Sequence, residues 1–262
     1  MRTTPLTFTK YEGAGNDFIV VVATDAAVVS PEEARTLCDR HFGIGADGVL
    51  LVLPPTSPGA IATMRVLNAD GSIPEMCGNG LRCVAAHVGN PQTLPELVID
   101  TGAGPKTCII HEHSVTIDMG TPRILGERTL LGQHLVLVET GNPHAILFGA
   151  FTPAEVERLG PQLSRHEAFP EGTNVEFARV TDHGIDLVVW ERGVGLTLAC
   201  GTGAVATVAA ALDKELVPSG VPVSVRLPGG TLRIERLPSG AMRMTGPARK
   251  VFEGTLASAP PS

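Results

Sequence analysis

The sequence predicts an α+β protein of two pseudo-symmetric lobes, each a strongly curved, mainly antiparallel sheet wrapped around a central buried helix. Three observations carry that reading. Landmarks of the first half recur in the second half in the same order. Short β-branched runs bounded by glycine turns dominate both halves. Each half also holds one helix that opens on a Gly-rich loop, and the second of these, "GAVATVAAAL", is apolar all round. A helix without a polar face belongs in a core.

The repeat runs the length of the chain. "GNDF" at Gly15 meets "GNPH" at Gly141, and Arg40-His41 meets Arg165-His166. Cys77 meets Cys200, "GAGPKT" ending at Thr107 meets "PGGTLR" ending at Arg233, and Met119-Gly120 meets Thr245-Gly246. Any one match is weak; the shared order is what counts. "SPEEARTLCDRH" opens with Ser30, Pro31 and Glu33, which predicts a capping box with proline at the first helical position. "TPAEVERLGPQLSRH" repeats the device with Thr152, Pro153 and Glu155. In the first half "NDFIVVVAT", "DGVLLVLPP" and "IATMRVLN" read as strands; in the second "HLVLVET", "HAILFG", "NVEFARV" and "IDLVVWERG" do. Each half closes in Gly-turned hairpins, Leu97–Gly120 and Val221–Gly246. The predicted lobes are residues 1–122 and 123–262, the C-terminal residues crossing over to the other lobe, and the active site is expected in the cleft between them.

Composition excludes several classes. The 262 residues are 43% hydrophobic and 18% charged, ordinary globular values, and only the tail Ala257–Ser262 reads as disordered. A net charge of -7 with no basic run argues against a nucleic-acid partner. The N-terminus has no apolar h-region, and no apolar run approaches the ~18 residues of a membrane span, so a cytoplasmic protein without a membrane role is expected. The five cysteines, Cys38, Cys77, Cys83, Cys108 and Cys200, are widely spaced without C-x-x-C, which fits neither a disulfide framework nor a metal site.

Cys77 and Cys200 stand apart, because each precedes a Gly-rich helix start: "CGNGLRC" and "CGTGAVA". A helix N-terminus carries unpaired N–H groups and about half a positive charge. It lowers the pKa of a thiol placed there and offers a nest for a carboxylate. Glycines 78, 80, 201 and 203 let a ligand approach the backbone. Two thiols on opposite sides of one α-carbon fit stereoinversion: one thiolate removes the α-proton and the other thiol protonates the opposite face. The other three cysteines have no counterpart in the repeat and read as packing residues.

Taken together, "GAGNDF", "RHFGIGADG", "NADGS", "CGNGLRC", "GNPHA", "ERGVG", "ACGTGA" and "LPGGTL" resemble the bacterial diaminopimelate epimerases, in the family's order and over almost the whole chain. The resemblance implies interconversion of LL- and meso-2,6-diaminoheptanedioate (diaminopimelate) in lysine and peptidoglycan precursor synthesis, with no cofactor and no metal, by a homodimer. It implies Cys77 and Cys200 as the catalytic pair, with Cys200 the base and Cys77 the acid in the LL-to-meso direction. It implies Gly78, Asn79, Gly201 and Thr202 as the loops that bind the reacting carboxylate. Asn16, Asn68, Asn142, Asn174, Glu191 and Arg192 match its substrate-binding positions, and His144 and Glu191 its thiol-tuning positions. Taken singly, these residues have ordinary readings. Asn16 and Asn142 sit beside Gly or Pro as turn residues do, His144 could be a structural histidine, and Glu191-Arg192 a solvated pair. Two positions depart from the family: Gly48 stands where some members have a substrate-contacting glutamine, and Phe252 where some have a tyrosine linked to dimerisation.

Rival readings each have a discriminator. "GIGADG", Gly43–Gly48, is a literal G-x-G-x-x-G, but it follows a helix and precedes a strand, the reverse of a dinucleotide site. Racemisation of proline or hydroxyproline uses the same thiol logic yet leaves Arg192 and the asparagines without a distal group to bind. A non-catalytic amino-acid binder needs no thiols, and a redox pair would form a reversible disulfide.

Overall fold

The computed structural model describes residues 5–257; residues 258–262, and with them nearly all of the Ala/Pro/Ser tail, lie outside the described residues. In chain order the elements are β1 (Leu6–Gly13), β2 (Asn16–Val22), α1 (Pro31–Cys38), β3 (Gly48–Leu53), β4 (Ala62–Asn68), α2 (Gly78–Val88), β5 (Glu96–Asp100), β6 (Lys106–Ile110) and β7 (Ser114–Gly120). They continue with β8 (Arg123–Leu130), β9 (Gln133–Glu139), β10 (Pro143–Phe148), α3 (Pro153–Ser164), β11 (Asn174–Thr181), β12 (Gly184–Glu191) and β13 (Gly195–Thr197). The last are α4 (Gly201–Asp213), β14 (Val223–Leu227), β15 (Gly230–Arg236), β16 (Met242–Pro247) and β17 (Arg249–Leu256). The described residues divide into two compact units, one of residues 5–117 and 247–257, the other of residues 118–246.

Each unit is α+β, and their pairing schemes match. In the first, β17, β1 and β2 are successively antiparallel, β2–β3 is parallel, β3–β4 antiparallel, β4–β5 parallel, and β5–β6–β7 antiparallel. In the second, β8, β9 and β10 are successively antiparallel, β10–β11 is parallel, β11–β12 antiparallel, β12–β14 parallel, and β14–β15–β16 antiparallel. The parallel steps are the crossovers that carry the helices, since parallel neighbours need long connections.

The repeat of α1 and α3 is physical as well as textual. Both begin with a complete capping box, Ser30 with Glu33 and Thr152 with Glu155, and with proline in the first turn. Each lies on one face of its sheet. Val49 and Leu51 of β3 join Ala34 and Cys38 of α1 in one cluster, while Leu50, one residue out of phase, meets α2 at Gly80. Val175 and Phe177 of β11 join Val156, Leu159 and Leu163 of α3. The central strands are therefore covered on both faces, which is why they read as continuous apolar runs. From Gly203 to Ala211 every residue of α4 is buried, as its composition predicts. No helix among the described residues is long and apolar enough to cross a membrane.

Strands β1, β8, β13 and β17 were not among the predicted elements. β8 and β17 are mostly exposed, and neither has a fully buried residue to mark an inner face. They form because β9 and β1 offer them a free edge, not because their own sequence demands it.

Candidate active site

Both cysteines of the repeat occupy the same local position. Cys77 is the N-cap of α2, with φ -137° and ψ 109°, and Cys200 is the N-cap of α4, with φ -127° and ψ 110°. Cys77 Sγ accepts the N–H of Gly80 at 3.4 Å, and Cys200 Sγ accepts the N–H of Gly203 at 3.4 Å. A thiol at an N-cap does what a serine oxygen does there, satisfying an orphan donor of the first turn. Gly78 and Asn79, and Gly201 and Thr202, are the first two helical residues of α2 and α4, so their N–H groups belong to the open first turn. A Cβ at Gly80 would come within 2.9 Å of a Leu50 methyl, so a larger residue there would have to displace that side chain.

In the first unit Asn16 and Asn79 meet at this helix mouth, and Asn68 ends a neighbouring strand. Asn16 opens β2, and Gly48 of β3 pairs with Asn68 at the end of β4. Asn79 Nδ2 donates to Asn16 Oδ1 at 3.3 Å, and Asn16 Nδ2 donates to Asp47. Asp47 and Asp17 are both held by Arg40, and Asp17 also by Lys10 at 2.6 Å. Burial alone would raise the Asp17 carboxyl, but the Arg40 and Lys10 cations win and bring it down to about 2. Asn68 Nδ2 donates to Ser72 Oγ, in the turn that Asp70 closes by accepting the Ser72 N–H. The departure at Gly48 has a steric reason: a Cβ there would lie 2.8 Å from the Leu67 carbonyl oxygen, so a glutamine needs a shifted backbone.

In the second unit Asn142, His144, Asn174, Glu191, Arg192 and Cys200 gather likewise, with β10, β11 and β12 side by side. Asn174 donates to the Pro143 carbonyl at 3.0 Å and accepts the Arg192 N–H at 2.9 Å, so one amide fixes two strand ends. The exposed Arg192 guanidinium donates to the Glu171 carbonyl at 3.1 Å. Glu191 Oε1 accepts the Thr197 hydroxyl at 2.7 Å. His144 hydrogen-bonds Glu176 and Asn142.

Glu176 is the residue the sequence reasoning passed over. Its side chain is fully buried, with Oε1 2.6 Å from His144 Nδ1. A Cβ on Gly203 would lie 2.8 Å from that same oxygen and 3.2 Å from Cys200 Sγ, so carboxylate and thiol border one small space. The available clue was its phase: along β11 the neighbours on the α3 face are apolar, and Glu176 is the charged residue turned the other way, toward α4.

The electrostatics correct one expectation. Burial pushes the Cys200 thiol well up, and the negative charges of Glu191 and Glu176 push the same way. The Thr202 hydroxyl and the Gly203 N–H pull it down but lose. The helix mouth therefore does not lower this thiol, because desolvation of a fully buried sulfur exceeds what one N–H and the helix charge return. The packing cysteines behave as expected: burial raises Cys38 to about 11, and Cys83 and Cys108 to about 12.

The diaminopimelate epimerase family model matches residues 8–125 and 136–251. A diaminopimelate epimerase of Cyanothece sp. is 44% identical over 282 residues, covering 96% of this chain and 99% of that protein. The chloroplastic diaminopimelate epimerase of Oryza sativa subsp. japonica is 42% identical over 287 residues, covering 95% of this chain and 80% of the rice protein. Among solved structures, a hydroxyproline epimerase from Agrobacterium vitis aligns with a TM-score of 0.73 at 15% identity, covering 98% of this chain and 94% of that one. A phenazine biosynthesis protein of Bacillus anthracis aligns with a TM-score of 0.74 at 15% identity, covering 97% of this chain and all of that one. These distant structures share the fold alone. The sequence matches say more, and with them the chain belongs to the diaminopimelate epimerase family.

Proposed function

We propose that Cys77 and Cys200 are the acid–base pair of an isomerase that interconverts LL- and meso-2,6-diaminoheptanedioate. The family's reaction supplies lysine and peptidoglycan precursors. The observation that carries the reading is the duplicated N-cap thiol: the same residue, the same backbone conformation and the same sulfur-to-N3 hydrogen bond in both units.

The chemistry follows from that arrangement. In the LL-to-meso direction the Cys200 thiolate takes the α-proton, and the Cys77 thiol gives a proton to the opposite face. The electron pair left on the α-carbon delocalises into the adjacent carboxylate. First-turn N–H groups of Gly78, Asn79, Gly201 and Thr202 stabilise the charge as it builds there. Because burial and two carboxylates hold Cys200 protonated, its thiolate is scarce but strongly basic, which suits a weakly acidic α-hydrogen. Arg192, Glu191 and the asparagines Asn16, Asn68, Asn142 and Asn174 hold the rest of the substrate, including its unreacting amino-acid end. Arg192 suits a carboxylate because its planar fork donates two parallel hydrogen bonds. Glu191 suits the distal ammonium.

The protein works without cofactor or metal, as a homodimer in the cytoplasm. Val251 and Phe252 of β17, 52% and 45% exposed, support a subunit contact on that strand; Phe252 packs its inner edge on Phe8. Incubation with LL-diaminopimelate in D₂O, without added cofactor, tests the whole reading. Proton NMR should show the α-hydrogen signal lost as the meso isomer accumulates. No exchange and no meso product would overturn it.

A further inference from the structure

The geometry points to Glu176 as a positioning residue that acts through His144 to decide which end of the Asn142 amide faces the substrate. The inference rests on the reading above that Asn142 touches substrate, and concerns a residue that reading does not use.

Three contacts form the chain. Glu176 Oε1 lies 2.6 Å from His144 Nδ1, and His144 Nε2 lies 2.9 Å from Asn142 Oδ1. The Thr140 hydroxyl also donates to Asn142 Oδ1, at 3.2 Å. The Glu176 and His144 side chains are fully buried, and Asn142 is half-buried. An ionised carboxylate only accepts, so Nδ1 carries a hydrogen. Among the described residues His144 is the ion-pair partner of Glu176, and the other carboxylate oxygen, Oε2, is buried without a hydrogen bond. A buried carboxylate with one partner draws positive charge onto that partner. Asn142 Oδ1 is an amide oxygen and likewise only accepts, so Nε2 donates as well. Asn142 must then turn its oxygen inward, where two donors bind it, and its NH₂ outward. An outward NH₂ donates to a carboxylate oxygen of the substrate; a flipped amide would set oxygen against oxygen.

A second possibility makes the opposite prediction. If Glu176 acted only as a negative charge beside Cys200, then Glu176→Gln would ease ionisation of the thiol and raise kcat with KM unchanged. Through the relay, the glutamine still accepts from Nδ1, but with no negative charge beside it the ring needs only that one hydrogen, and Nε2 becomes an acceptor. The Asn142 amide then flips, and KM for LL-diaminopimelate rises by about tenfold or more, the size expected for losing a hydrogen bond to a charged group. Because both residues serve one contact, Glu176→Gln combined with Asn142→Ala should bind no worse than Asn142→Ala alone.

The experiment measures steady-state kinetics of Glu176→Gln, Asn142→Ala and the double variant, with ¹⁵N NMR of the His144 ring in the wild-type enzyme. Two protonated ring nitrogens in the wild type and a non-additive rise in KM support the relay. A wild-type ring with one bare nitrogen, additive effects, or a raised kcat at unchanged KM overturns it. The wild-type spectrum decides even if Glu176→Gln fails to fold. A wild-type KM in Asn142→Ala removes that asparagine from the substrate site and the relay with it. If Asn142→Ala binds poorly while Glu176→Gln is normal, the relay alone fails.

Discussion

The sulfur of Cys200 accepts a hydrogen bond from the backbone N–H of Gly203 at 3.4 Å, and glycine is what makes that contact possible. A Cβ at Gly203 would lie 2.8 Å from Glu176 Oε1 and 3.2 Å from the sulfur. Gly203→Ala should therefore displace either the buried carboxylate or the thiol. Overpacking of this kind costs about 1–3 kcal/mol. The expected result is a lowered urea midpoint together with a drop in kcat. A variant with wild-type kcat and midpoint would show that α4 can shift away from β11 at no cost.

Arg192→Lys separates charge from shape. Lysine keeps the positive charge but loses the planar fork, so the proposed two-point carboxylate contact would become a single one. The arginine is already braced by its hydrogen bond to the Glu171 carbonyl and by Gly172, whose φ of +73° turns the chain beneath its side chain. A lysine would lose that brace too. A fall in kcat/KM of roughly one to two powers of ten is expected. Unchanged steady-state kinetics on diaminopimelate would return Arg192 to the solvated surface.

Much of this was legible beforehand, for identifiable reasons. The capping boxes at Ser30 and Thr152 and the apolar run of α4 are local signals, and local signals survive in a single sequence. The two thiols stood out because duplication put the same exception in two places. Glu176 left only its phase in the sequence, because its meaning depends on which way β11 faces and on His144, thirty-two residues away in the chain. The upward push on Cys200 was hidden for the same reason: burial and the Glu176 charge come from tertiary packing, whereas the helix mouth is written in the sequence. Edge strands β8 and β17 draw their structure from their neighbours.

The buried thiols tie stability to alkaline pH. Burial holds Cys38 up at about 11 and Cys83 and Cys108 at about 12, against ~8.5 for an exposed thiol. The folded values lie above the unfolded one, so this contribution is fully present below ~8.5 and is lost as pH rises toward the folded values. Each thiol lowers the unfolding free energy by at most about 1.4 kcal/mol per pH unit in that window. Urea midpoints under reducing conditions should fall steeply between about pH 9 and 11. Cys108→Val, close in volume, should flatten the slope by one thiol's share. Parallel slopes for wild type and variant would mean that other groups set the alkaline limit.

Replacing either N-cap thiol tests the central claim most sharply. Cys77→Ala and Cys200→Ala should each end epimerisation, since in the proposed mechanism each thiol carries the proton for one face. Neither should unfold the protein, because a lost N-cap hydrogen bond is worth about 1 kcal/mol. Loss of activity alone would not establish two bases. A surviving thiolate can still remove a proton and return a deuteron on its own face, so each variant should exchange the α-hydrogen in D₂O without inversion. In the proposed mechanism Cys200 is the base toward the LL centre, so Cys77→Ala should exchange LL-diaminopimelate. Cys200→Ala should instead exchange the D-configured centre of the meso isomer. Serine would be a poorer replacement, because a hydroxyl can still donate a proton in the direction that needs only an acid. Near wild-type epimerisation by either alanine variant would end the two-base mechanism. Exchange of the same centre by both would mean that the two thiols serve the same face, and the duplicated N-caps would then need a different explanation.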